Sequence, residues 1–284
     1  MNRGAGFARV AGWEKTMCRM FAAASKKMDK SYMVSFRELA ARGKVLKDVS
    51  ETHEDGWGIS GYLGNWTVHF GRSEKGATLD KLYYFKACEN AVRSGTKIVV
   101  SHLRQASKGG VNINNVHPFI YKEWIFCHNG TIFDAEKLKI NNIYYEGTTD
   151  SEVFFKYLVG MLSNRSKSEF SAILENAANY IKENFETTSL TFLMSNGDHL
   201  FAFRDFTKDE YYYTLFYKKL DGGYVFCSEP LAGDGWTEMK NGQLMIVNKF
   251  GEIVFDKIIQ TSALTGGPGQ GYTNAENALQ GSSS

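Results

Sequence analysis

Apolar residues in this chain fall into two spacings, and each spacing predicts a different kind of element. Short runs of β-branched and aromatic residues between turn formers predict strands over 18–23, 56–63, 65–70, 97–103, 124–128, 189–195, 199–204, 211–217, 223–228, 243–248 and 252–256. Tight glycine-containing turns, Ser195-Asn196-Gly197-Asp198 and Lys249-Phe250-Gly251-Glu252, join neighbours as hairpins, so the sheets are expected to be mainly antiparallel. Helical periodicity appears over 31–42, 79–94, 151–162 and 167–184. In the third helix Val153, Phe154, Tyr157, Leu158 and Met161 form one apolar face, and Asp150 is a candidate N-cap. Strands outnumber helices, and the helices come in two groups between strand runs, which is an α+β pattern. Two packed sheets with helices outside would use this inventory, and so would one twisted sheet.

Composition narrows the class. The 284 residues, 43% of them hydrophobic, suffice for a large core without staples, and disorder throughout is excluded. Residues 1–16 are rich in Gly, Ala and Arg without a clear period, and 1–17 is expected to be a removed leader or a mis-assigned start. Residues 18–260 form the globular zone, and the Gly/Ser/Asn/Gln-rich stretch 261–284 is expected to be a disordered tail. No internal repeat of about 20 to 50 residues is present. Lys+Arg and Asp+Glu number 33 and 31, so the net charge of +2 suggests neither a nucleic-acid partner nor a membrane surface. No apolar run approaches the roughly 18 residues of a membrane span. Cys18, Cys88, Cys127 and Cys227 lie far apart without a C-x-x-C pair, which fits a reducing, cytoplasmic compartment.

Five segments collect polar, Gly-rich and reactive residues at the ends of predicted strands, where a scaffold can aim them. They are Met17-Cys18-Arg19-Met20-Phe21, His53-Glu54-Asp55-Gly56-Trp57-Gly58, the stretch from Ser101 to Gly110 followed by Asn115-Val116-His117-Pro118-Phe119, Cys127-His128-Asn129-Gly130-Thr131-Ile132, and Thr148-Thr149-Asp150-Ser151-Glu152. Singly, each has an ordinary explanation. A strand cysteine is usually inert core, Asn-Gly is usually a turn, and Asp150 would serve as a cap. Lys108-Gly109-Gly110 lacks the spacing of a phosphate loop. His102, His117 and His128 lack metal-ligand spacing, so no metal or other cofactor is expected.

In this order, MCRMFA, EDGWGI, SHLRQAS, NxHPF, HNGTI and TDSE resemble the class II glutamine amidotransferase domain, an N-terminal-nucleophile (Ntn) hydrolase, and especially its stand-alone YafJ-like group. The likeness extends over about 17–256 and includes FCSEPL at 226–231. It implies a four-layer α/β/β/α sandwich of two mainly antiparallel sheets. It also implies that Cys18 is the nucleophile, its own α-amino group serving as base, with pKa values of about 7.7–8.0 for the amine and 8.5 for a thiol. Asn129 and the backbone N–H of Gly130 would stabilise the oxyanion, and glycine suits the second position through close approach and positive φ. Arg104 would fork onto the substrate carboxylate and Asp150 would pair with its ammonium, with Ser107 and His117 lining the same pocket. Trp57 would form a wall of the site, or else EDGWGI only fixes a turn and strand. Lys108 departs from the His that synthase-linked relatives often carry there.

The implied substrate is glutamine or a γ-glutamyl compound. Three functions follow: a hydrolase of that amide, an ammonia-donating subunit for a separate synthase partner, or a non-catalytic glutamine-binding regulator.

Overall fold

A computed structural model describes residues 18–44, 52–106, 110–140 and 143–259. The expected leader 1–17, the expected tail 261–284 and Ser107 lie outside the described residues. The first half of the chain runs β1 (Arg19–Ser25), α1 (Lys30–Arg37), α2 (Leu39–Arg42), β2 (Trp57–Leu63), β3 (Trp66–Ser73), α3 (Lys81–Arg93), β4 (Ile98–Leu103), β5 (Phe119–Tyr121) and β6 (Trp124–Asn129). The second half runs α4 (Asp150–Leu162), α5 (Phe170–Asn184), β7 (Thr191–Ser195), β8 (His199–Arg204), β9 (Phe216–Leu220), β10 (Gly223–Cys227), β11 (Thr237–Glu238), β12 (Gln243–Asn248) and β13 (Ile253–Ile258).

The strands form two sheets, ordered β11-β9-β10-β1-β4-β2-β3 and β13-β12-β8-β7-β6-β5. Every paired ladder is antiparallel, and β1 lies between β4 and β10 while β6 lies between β5 and β7. The side-chain period of two sorts each central strand between two cores. On β1, Phe21 and Ala23 face α1 and α3, whereas Met20, Ala22 and Ala24 face the other sheet. On β6, Trp124 and Phe126 face α4, whereas Ile125 and Cys127 face the first sheet. This is the expected helix–sheet–sheet–helix sandwich. Both faces of each sheet are covered, which is why the central strands read as apolar runs rather than strict alternation.

Local departures have local causes. The strand expected over 211–217 begins only at Phe216. Asp209 adopts φ 58°, and the buried Arg204 guanidinium takes the carbonyls of Tyr213 and Glu210, removing acceptors that a longer ladder would use. The expected helix over 31–42 is interrupted at Glu38. Strands β5 and β11, of three and two residues, are too short to show a period. Trp57 points away from the sheet interface into the helix-side core, against Tyr84 at a centroid distance of 4.9 Å, so EDGWGI fixes a turn and strand and Trp57 is no wall of the cleft.

Candidate active site

The start of β1 and the end of β4 in one sheet meet the end of β6 in the other. Cys18 is half-buried immediately before β1; its backbone N–H donates to Asn129 Oδ1 at 3.3 Å, and its thiol donates to the Gln105 carbonyl at 3.6 Å. Burial raises the thiol pKa; backbone hydrogen bonding at Gln105 and the charges of Arg104 and Arg19 oppose it, and Asp55 adds to the rise. A base is therefore needed to form the thiolate at neutral pH. The residue is held from behind by Arg19, whose buried guanidinium donates to the Cys18 carbonyl at 3.0 Å and pairs with Glu229. Met20 N–H donates to Ser228 Oγ at 2.9 Å, so the Ser-Glu pair after β10 pins the start of β1.

Asn129 ends β6 on the face that looks at the first sheet. With Oδ1 accepting from Cys18, its Nδ2 is buried and has no partner. An unmatched buried donor is costly, and such donors are found where a ligand completes them. Gly130 follows. It is not in the left-handed region, so the expectation of positive φ fails. Close approach is the reason for glycine: a Cβ there would collide with the Ser189 carbonyl.

Arg104 is buried just past β4. Its backbone is clamped to the EDG segment, donating to Gly56 O at 2.8 Å and accepting from Asp55 N–H at 3.0 Å. Gly56 has φ 132°, which only glycine adopts readily, and Asp55 Oδ2 accepts from Ala106 N–H at 2.8 Å. Desolvation lowers the Arg104 pKa, countered by Cys18 and Asp55.

Asp150 is not the cap of its helix. Thr149 is, its hydroxyl accepting from Glu152 N–H at 3.3 Å, which releases the Asp150 carboxylate to accept from Ile132 N–H at 2.7 Å and to line the cleft. His117 also lines it; its Nδ1 lies 2.9 Å from His102 Nε2, and burial depresses both imidazole pKa values well below the ordinary range. One cleft thus holds Cys18, Arg104, His117, Asn129, Gly130 and Asp150. Gln105, Asn115, His128, Thr149 and Ser151 line it too; they lie in the segments singled out from sequence but were given no role in the site. Arg19 and Glu229 were also missed, although their opposite charges lie inside MCRMFA and FCSEPL. Among the described residues no cluster of three or more His, Cys, Asp or Glu is arranged for a metal, and no helix is long and apolar enough to cross a membrane.

The family model for class II glutamine amidotransferases matches residues 17–218. The chain belongs to this family. Among curated proteins similar to it are the uncharacterized protein MJ1515 of Methanocaldococcus jannaschii, 28% identical over 74% of this chain and 65% of the relative, and the "Putative glutamine amidotransferase YafJ" of Escherichia coli, 29% identical over 53% of this chain and 60% of the relative. The chain therefore spans about three fifths of the length of these relatives. Among solved structures, a class II domain protein from Silicibacter pomeroyi superposes with TM-score 0.55 at 22% identity, over 86% of this chain and all of that one. The glutamine phosphoribosylpyrophosphate amidotransferase of B. subtilis superposes with TM-score 0.61 at 16% identity, over 87% of this chain and 50% of that one. At these identities the family likeness in three dimensions is one of fold, the Ntn sandwich with two antiparallel sheets.

Proposed function

We propose that this family member hydrolyses the γ-amide of glutamine or of a γ-glutamyl compound, with Cys18 as nucleophile in a form whose first residue is Cys18. Its α-amine, held by Asn129 Oδ1, takes the thiol proton; the thiolate attacks the amide carbon, and the proton passes to the leaving nitrogen. Ammonia or an amine departs, and a γ-glutamyl thioester remains for water to cleave to the acid and free thiol. Asn129 Nδ2 and Gly130 N–H would receive the oxyanion in both tetrahedral states. Arg104 would bind the substrate carboxylate, Asp150 its ammonium, and His117 and Ser107 the pocket walls.

The observation that carries this reading is the double use of Asn129. One oxygen holds the nitrogen of the proposed nucleophile, and the nitrogen on the same amide is an unmatched donor in the cleft that Cys18 also lines.

The test is a protein made to begin at Cys18, assayed for ammonia or amine release across γ-glutamyl compounds. It should turn over at least one of them and show the thioester by intact mass, while Cys18→Ala should have no activity with an unchanged circular dichroism spectrum. Turnover surviving in Cys18→Ala rejects the mechanism. Glutamine binding without any thioester points instead to a regulator.

A further inference from the structure

A second polar cavity, of about 380 Å³, lies where the edge strands β3 and β5 of the two sheets meet the start of α4. It is within the size range of small-ligand sites. Two cations line it. Lys156 is 5% exposed, and its Nζ sits 3.8 Å from the Tyr121 ring centroid; among the described residues it has no hydrogen-bond or ion-pair acceptor. Arg72 donates Nε to the Val116 carbonyl at 2.9 Å, and its terminal nitrogens likewise have no acceptor among the described residues. The Lys156 stem is buried while its ammonium opens onto the cavity, where the ring face meets only part of its charge.

The carboxylates in the same cavity, Glu146 and Glu152, act on Arg72 and Lys156 through charge without contacting either. Glu152 is turned to the other side, Oε1 accepting from Glu146 N–H at 2.8 Å and Oε2 from Gly147 N–H at 2.7 Å. Glu146 is exposed at the rim. Neither forms an ion pair with Arg72 or Lys156 among the described residues. A compact anion with several acceptor oxygens is the ligand chemistry that meets a guanidinium and an ammonium together.

We propose that this cavity binds a small anion, a carboxylate or a phosphate group, between Arg72 and Lys156, and that the bound anion tunes substrate capture in the neighbouring cleft. The coupling is physical. Arg72 grips Val116, which lies between the cleft residues Asn115 and His117, and Glu152 holds the turn that leads into Thr149 and Asp150. Asn115 joins the two segments, its Oδ1 accepting from Thr148 N–H at 2.9 Å. The cavity is thus built on the backs of two loops whose fronts form the glutamine cleft. The coupling rests on the glutamine reading of that cleft, whereas the anion site does not.

Binding is therefore measured on Cys18→Ala protein, by calorimetric titration with inorganic phosphate and, separately, succinate, the site being located by backbone amide NMR shifts. At least one anion should saturate, with shifts at Arg72, Val116, Glu152 and Lys156. Lys156→Met should weaken binding about tenfold or more, the loss of one charge-assisted hydrogen bond, and Lys156→Arg should retain it. Response to phosphate alone or to succinate alone names the source of the oxygens. If Lys156→Met does not fold, Arg72→Gln decides by the same criterion. No saturable binding of either anion, or affinity unchanged in the variants, overturns the site. In active protein starting at Cys18, the anion should change KM for glutamine with kcat nearly constant; a KM indifferent to a bound anion overturns the coupling.

Discussion

His128 and Asn129 are neighbours on β6, yet they serve opposite faces of one sheet. His128 borders the same cleft, but its ring turns toward α4 and both ring nitrogens are engaged: Nδ1 meets Ser151 Oγ at 3.0 Å and Nε2 meets the Ser189 carbonyl at 3.1 Å, with the ring against Phe154. Asn129 looks inward, toward Cys18, and keeps a donor in reserve. The pair shows how polarity alone fails to mark a site. A buried polar group whose bonds are all made holds the fold together, and one left short is available to a substrate.

That contrast can be broken by experiment. Asn129→Ala should reduce kcat by about 10²–10³-fold, the usual effect of losing one oxyanion donor, with little change in the urea midpoint. His128→Phe keeps the ring packing but strands Ser189 O and the Ser151 hydroxyl. It should cost about 1–3 kcal/mol of stability in urea titrations, with a smaller loss of kcat than Asn129→Ala. Equal kcat losses in the two variants would erase the distinction between the faces.

The smallest effect is on pH dependence. Burial depresses the pKa values of His102, His117 and His128 in the folded protein. The unfolded chain then binds more protons, so this contribution to stability is full above the unfolded value of about 6.5 and is lost as pH falls below it. The urea midpoint should drop between pH 7 and pH 5. A flat midpoint would show that the histidines accept protons without disturbing the fold.

Much of this was legible in the chain. β-branched and aromatic runs located most of the strands, since period and turn chemistry act over a few residues. The order of the motifs from MCRMFA to TDSE announced the family and, Ser107 aside, the residues gathered in one cleft. The errors share a cause. Asp150 was read as a cap because it precedes an apolar face, but Thr149 competes for the same N–H groups one position earlier. Gly130 was read through close approach and positive φ; only the first holds, and what approaches is a carbonyl 59 positions away in the chain, that of Ser189. Trp57 between two glycines offered no clue to the side it faces.

The sequence by itself determined the alternation that makes each strand two-faced and the set of reactive residues at the strand ends, because both are properties of near neighbours. Only the tertiary structure decided which face meets which layer. The hydrogen bond between Cys18 and Asn129 crosses 111 positions and two different sheets. The sharing of loops between the cleft and the cavity of Arg72 and Lys156 likewise arises from how the sheets stack, and no local spacing encodes a contact between residues so far apart in the chain.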